Sequence, residues 1–113
     1  MDGLAYLSTV DSEWGSVTTK TFEVKGSKLM LNIGIKSNQG RVEVEVVNAL
    51  GDRLAGFTRH EAQSIKVGGV NVEVSWFKSS TELHNLKTLL GTKVRLRFHI
   101  KDADLYAFQV NID

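Results

Sequence analysis

The side chains able to do chemistry in this sequence are few and widely spaced. Its three histidines, His60, His84 and His99, fall in three different settings. No HxH or HExxH spacing places two imidazoles on one face as metal ligands. His99 lies on the polar side of a strand-like run and reads as solvated. His60 falls in a short helical turn, and His84 on the exposed side of a short helical segment. Two carboxylates, Glu43 and Glu45, stand two residues apart. Hydrolysis of a glycoside needs a pair facing each other across a cleft, with one of them kept protonated. On one face of one strand beside Arg41 they read instead as a solvated charge row. Asp102 and Asp104 could hold calcium together with backbone oxygens, but aspartates at a chain reversal are more simply turn formers. No phosphate-cradling glycine loop or nucleophile elbow occurs, and the absence of cysteine excludes a thiolate site and a disulfide alike. No catalytic residue, metal or cofactor is therefore expected.

The aromatic residues carry more. A sugar presents a flat C–H face ringed by hydroxyls, so its binding site needs an exposed aromatic plate with polar neighbours. Trp14, in Asp11-Ser12-Glu13-Trp14-Gly15-Ser16, has no apolar periodicity around it to draw it into a core. It is the candidate stacking platform, with Asp11 and Glu13 as acceptors for sugar hydroxyls, unless the loop folds back and the ring plugs one end of the fold. Phe77, at a strand end and on the opposite parity to its core-facing neighbours, is the second exposed candidate. Trp76 shares a face with Val70, Val72 and Val74 and reads as core, as tryptophan usually does. Tyr6 and Tyr106 have apolar neighbours and read as core residues with their hydroxyls bonded at its edge.

These residues need a frame, and its floor is the run over residues 93–108. Val94, Leu96, Phe98 and Ile100 alternate with Arg95, Arg97, His99 and Lys101, the period of a strand with one buried and one wet face. Asp102-Ala103-Asp104 breaks the run, and Tyr106, Phe108, Val110 and Ile112 continue it on one face of a further strand. Residues 16–24 favour a strand on propensity. Residues 28–35 alternate through Leu29, Leu31, Ile33 and Ile35, and residues 41–47 through Val42, Val44 and Val46. Short strands are expected over 53–57, 63–67 and 71–77. Thr58 followed by Glu61 has capping-box spacing and predicts one helical turn. Leu83, Leu86, Leu89 and Leu90, closed by Gly91, predict a short helix within 81–90. The outward rows Glu43, Glu45 and Arg95, Arg97, His99 are of opposite sign. Neighbouring strands would let them pair and set register.

A chain of 113 residues is one domain, 1–113, able to bury a core without staples. Fourteen basic against thirteen acidic residues leave a net charge of +1, which gives no electrostatic footprint for nucleic acid. No apolar run approaches the roughly 20 residues of a membrane helix, and Met1-Asp2-Gly3 leads directly into domain sequence with no signal peptide expected ahead of it. Proline is absent, so glycine, asparagine, aspartate and serine mark the turns. The pattern is that of an all-β, antiparallel, jelly-roll-like sandwich that binds rather than catalyses.

Three ordered blocks carry a further likeness. The first runs from Lys28-Leu29-Met30-Leu31-Asn32-Ile33 through Gly40-Arg41-Val42-Glu43-Val44-Glu45-Val46. The second spans Leu50-Gly51 to Gly56-Phe57, and the third covers residues 91–108. With Asp2-Gly3-Leu4 and Val74-Ser75-Trp76, they resemble the β-sandwich accessory domain that follows the five-bladed propeller in secreted bacterial proteins of the glycoside hydrolase 32-like and 43-like type. The resemblance implies a module excised from an extracellular, carbohydrate-active protein, which binds a poly- or oligosaccharide or supports the propeller. The catalytic carboxylates of such proteins belong to the propeller, so none carries over. The alternative is a structural sandwich that packs against a catalytic neighbour or against another copy of itself.

Overall fold

A computed structural model describes residues 7–8 and 14–111. The expectations for Tyr6, Asp11, Glu13 and Ile112 lie outside the described residues. The described residues form ten strands: β1 (Leu7–Ser8), β2 (Trp14–Thr18), β3 (Phe22–Glu23), β4 (Lys28–Ile35), β5 (Arg41–Asn48), β6 (Gly69–Val74), β7 (Trp76–Phe77), β8 (Leu83–His84), β9 (Lys93–Lys101) and β10 (Ala103–Asn111). All pairings are antiparallel. One sheet has the order β1-β10-β4-β6. The other is built on β9, with β5 along one edge and β2 followed by β3 along the opposite edge. The fold is an antiparallel β-sandwich, as the alternating pattern predicts.

The core lies where the two inner faces meet. Val42, Val44, Val46, Val94, Leu96, Phe98 and Ile100 from the β5–β9 sheet are fully buried against Leu29, Leu31, Ile33, Val74, Leu105 and Phe108 from the other. The Phe98 and Phe108 ring centroids stand 5.3 Å apart and join the two layers. Trp76 is fully buried, as expected, and donates its indole N–H to the Val44 carbonyl at 2.8 Å. That carbonyl sits on the outer edge of β5, between the contacts that Ile65 makes to Val42 and Phe57 to Val46. The indole thus satisfies a backbone acceptor that strand pairing leaves open.

Two of the crossings between the sheets lie at one end of the sandwich. β4 passes to β5 through residues 36–40, and β9 passes to β10 at Asp102. Asp102 is therefore a corner between sheets, not the reversal of a hairpin. Its φ of 45° is one that aspartate tolerates better than most residues. The Lys36 N–H donates to the Asp102 carbonyl, and the Ser37 hydroxyl bonds its carboxylate, so each crossing holds the other. Gly40 is required here: a Cβ at this position would come within 2.6 Å of the Asp102 carbonyl oxygen. Asp104 pairs with Lys36 at 3.2 Å.

Four local expectations are corrected. Tyr106 is 40% exposed, because a bulge between Leu105 and Ala107 reverses the parity of β10. Ala103 and Leu105 face inward before the bulge and Phe108 after it, which leaves Tyr106 outside. Val70 is 73% exposed, since only the end of β6 reaches the core. Residues 53–57 and 63–67 are not strands. They run along the free edge of β5 and touch it at single bridges, Val47 with Arg53 and Val42 with Ile65. The helix expected within 81–90 is a 3₁₀ turn, Leu86–Leu89, because Leu83 and His84 are drawn into pairing with Phe77 and Trp76. Buried Leu86 and half-buried Leu89 sit three residues apart, which is the 3₁₀ period.

Candidate functional site

The outer face of the β5–β9 sheet carries the site. Antiparallel register sets Glu43 opposite His99 and Glu45 opposite Arg97, so the two rows of opposite sign are neighbours, as their lengths and signs predict. On the other side of β9, Trp14 lies opposite Lys101 and Thr18 opposite Arg97. Strand alternation puts all of these side chains on the face turned away from the core.

Above this face stands the 3₁₀ turn Arg59–Glu61, formed where the capping box predicts a helical turn. The Glu61 N–H donates to the Thr58 hydroxyl, while the Glu61 carboxylate receives the Thr58 hydroxyl and the N–H groups of Gly56 and Thr58. The Thr58 hydroxyl is the largest influence on this carboxyl and, with the backbone donors, holds it below the usual glutamate range. The turn is fixed at its foot by Phe57, which packs against Trp76 at 5.2 Å and against His84 at 4.6 Å. His84 is not on an exposed helix face: its Nε2 lies 2.7 Å from the Gly56 carbonyl.

Arg59 is the residue that closes the arrangement. Its Nε donates to Glu43 at 2.9 Å, and its guanidinium carbon lies 4.4 Å from the Trp14 ring centroid. Glu43 is on β5 and Trp14 on β2, so one arginine spans the central strand. Lys101 approaches the same ring at 6.0 Å. Trp14 is thus held by cations over its π face, and with 42% of the residue exposed it is no plug. It belongs to an edge strand and not to the loop expected.

The remaining charges are less solvated than their alternation implies. Glu45, expected to be solvated, is only 4% exposed. Its Oε1 accepts the His99 Nε2–H at 2.8 Å and lies 3.6 Å from Arg97, whose own Nε donates to Thr18. His99, likewise expected in solvent, is mostly covered. The turn that roofs this face removes it from water, and a sheet pattern cannot show a roof. Glu43, Glu45, Arg53, Arg59, His60 and Arg97 are among the residues that line the resulting groove, of about 620 Å³. Three arginines face two carboxylates there, and both carboxylates are already engaged.

The expected site residues are not brought together. Trp14 borders the groove through Arg59, whereas Phe77, 41% exposed, lies on the β7–β8 hairpin and not among the groove residues. Asp11 and Glu13 lie outside the described residues. Among the described residues, no group of three or more histidine, aspartate or glutamate side chains is placed to hold a metal ion. No helix there is long and apolar enough to cross a membrane. Compared with known proteins, the chain matches no family model, and no curated protein or solved structure matches it.

Proposed function

We propose that this chain is a non-catalytic carbohydrate-binding module, an accessory domain of an exported carbohydrate-active protein, that holds a poly- or oligosaccharide on the outer face of the β5–β9 sheet. The observation that supports this reading is Trp14. A half-exposed indole, fixed from above by Arg59, stands beside a groove of hydrogen-bonding side chains. A sugar ring laid on the open part of the indole reaches planar guanidinium donors without leaving the sheet. The groove volume lies within the range of ordinary small-ligand sites. The resemblance of residues 28–46, 50–57 and 91–108 to propeller-associated sandwiches points the same way.

Affinity electrophoresis of the chain through gels containing different polysaccharides tests the proposal. Retardation by at least one glycan, lost in Trp14→Ala and kept in Phe77→Ala, is the expected result. Retardation that survives Trp14→Ala removes the site. The second reading, a sandwich that packs against a catalytic neighbour or another copy of itself, draws on β6. Among the described residues this strand is a free edge of its sheet, and Val67 just before it and Val70 within it are largely exposed. Dimers in light scattering together with no retardation by any glycan favour it.

A further inference from the structure

We infer that the glycan is acidic: the groove is built to take a carboxylate or sulfate carried on the sugar. The inference rests on the glycan-binding reading and follows from a count of donors and acceptors. A neutral sugar offers hydroxyls, each of which both donates and accepts. A matching groove would leave acceptors open as well as donors. Here the acceptors are mostly engaged, and of the two groove carboxylates only Glu43 keeps an oxygen, Oε2, open to a ligand. Glu43 Oε1 receives Arg59, Glu45 Oε1 receives His99 and is nearly buried, and the Thr58 hydroxyl is closed into its exchange with Glu61.

The donors are not taken. Arg59 spends only Nε on a hydrogen bond among the described residues, which leaves both terminal nitrogens. The Arg53 guanidinium and the His60 imidazole make no side-chain hydrogen bond or ion pair to any described residue, and both line the groove. A guanidinium presents a planar fork that matches a carboxylate or sulfate edge two bonds at a time. Arg59 is also held in place before any ligand arrives, by its bond to Glu43 and its stack on Trp14. Less rotamer freedom is then lost on binding. The aromatic plate and the anion receptor are therefore one unit, with the sugar ring on Trp14 and its acid group on Arg59 and Arg53.

The test runs the whole chain through gels containing polygalacturonate, its methyl ester, dextran sulfate or plain dextran. Polygalacturonate or dextran sulfate should retard it at least roughly tenfold more strongly than the matching uncharged polymer, about the effect of one charge-assisted contact. Retardation should weaken as salt rises from about 50 to about 500 mM. The stronger of the two charged polymers identifies the acid group. Arg53→Gln and Arg59→Gln should each lower the retardation several-fold, while Lys87→Gln, on the Leu86–Leu89 turn, should not. Equal retardation by the ester and the acid, or by dextran and its sulfate, overturns the acidic inference and leaves glycan binding standing. Equal losses in Lys87→Gln and Arg53→Gln also overturn it, since the attraction would then belong to the whole surface. Retardation by none of the four overturns the acidic inference, and retardation by no glycan of a wider panel overturns glycan binding as well.

Discussion

The two faces of the β5–β9 ladder share one backbone and one register, yet they are stabilised differently. On the inner face Val42, Val44 and Val46 meet Leu96, Phe98 and Ile100, and burial of apolar surface does the work. On the outer face Glu43 and Glu45 meet His99 and Arg97, and the turn at residues 58–62 covers part of them. Each face also holds one tryptophan. Trp76 has no exposed surface and spends its N–H on the Val44 carbonyl, whereas Trp14 keeps 42% of its surface and is held by Arg59. A buried indole serves stability. An indole half in water, with a cation fixed over it, adds less to stability and is the ring we propose for ligand binding.

Truncating the two tryptophans should give the largest difference between the faces. Trp76→Ala should cost about 3–5 kcal/mol in urea unfolding, because lost transfer energy and an unfilled cavity add. Trp14→Ala should cost on the order of 1 kcal/mol, the scale of a cation–π contact at a partly exposed site. Equal losses would show that the outer ring is also structural. Next comes Glu45. Glu45→Ala leaves the covered His99 donor without its acceptor and should cost about 1–3 kcal/mol. A double-mutant cycle with His99→Ala should show that most of this is shared between the two residues.

The roof contributes less, and its effect depends on pH. Thr58→Ala removes both the cap to the Glu61 N–H and the hydroxyl on its carboxylate, for about 0.5–2 kcal/mol. The Glu61 carboxyl sits below its ordinary value near 4.5, so its contribution is fully present above that pH. It is lost as pH falls through the lower, folded value. The stability difference between the parent and Glu61→Gln should therefore shrink on acidification below about pH 4, as depressed carboxylates behave. It should shrink less in a Thr58→Ala background. A difference that grows with acid would contradict the assignment.

The inner face and the β5–β9 pairing were legible from alternation, because a buried face repeats every second residue and opposite charges mark the neighbour. The capping box at Thr58 and Glu61 was legible too, being a local device. What alternation could not show is how the turn lies. Arg59 reaches Glu43 and Trp14 from 16 residues and 45 residues away in sequence, so the burial of Glu45 and His99 follows from a contact that no period records. Tyr106 was misplaced for a related reason. One bulged residue in β10 exchanges inside for outside, and its cause lies in the pairing with Asn32 and Ile33. The leucines of 83–90 kept helical spacing, but pairing with Trp76 and Phe77 outweighed a short, marginal helix.

Titration of the isotope-labelled chain with oligogalacturonate, followed by backbone and indole NMR, maps where a ligand sits on the sandwich. Binding on the outer face of the β5–β9 sheet should shift the Trp14 indole N–H, the Arg59 and Arg53 side chains and amides of Glu43–Glu45 and Arg97–Lys101, with the Trp76 indole and Phe77 unmoved. Shifts confined to the β7–β8 hairpin or the β6 edge, or none at saturating ligand, would contradict it.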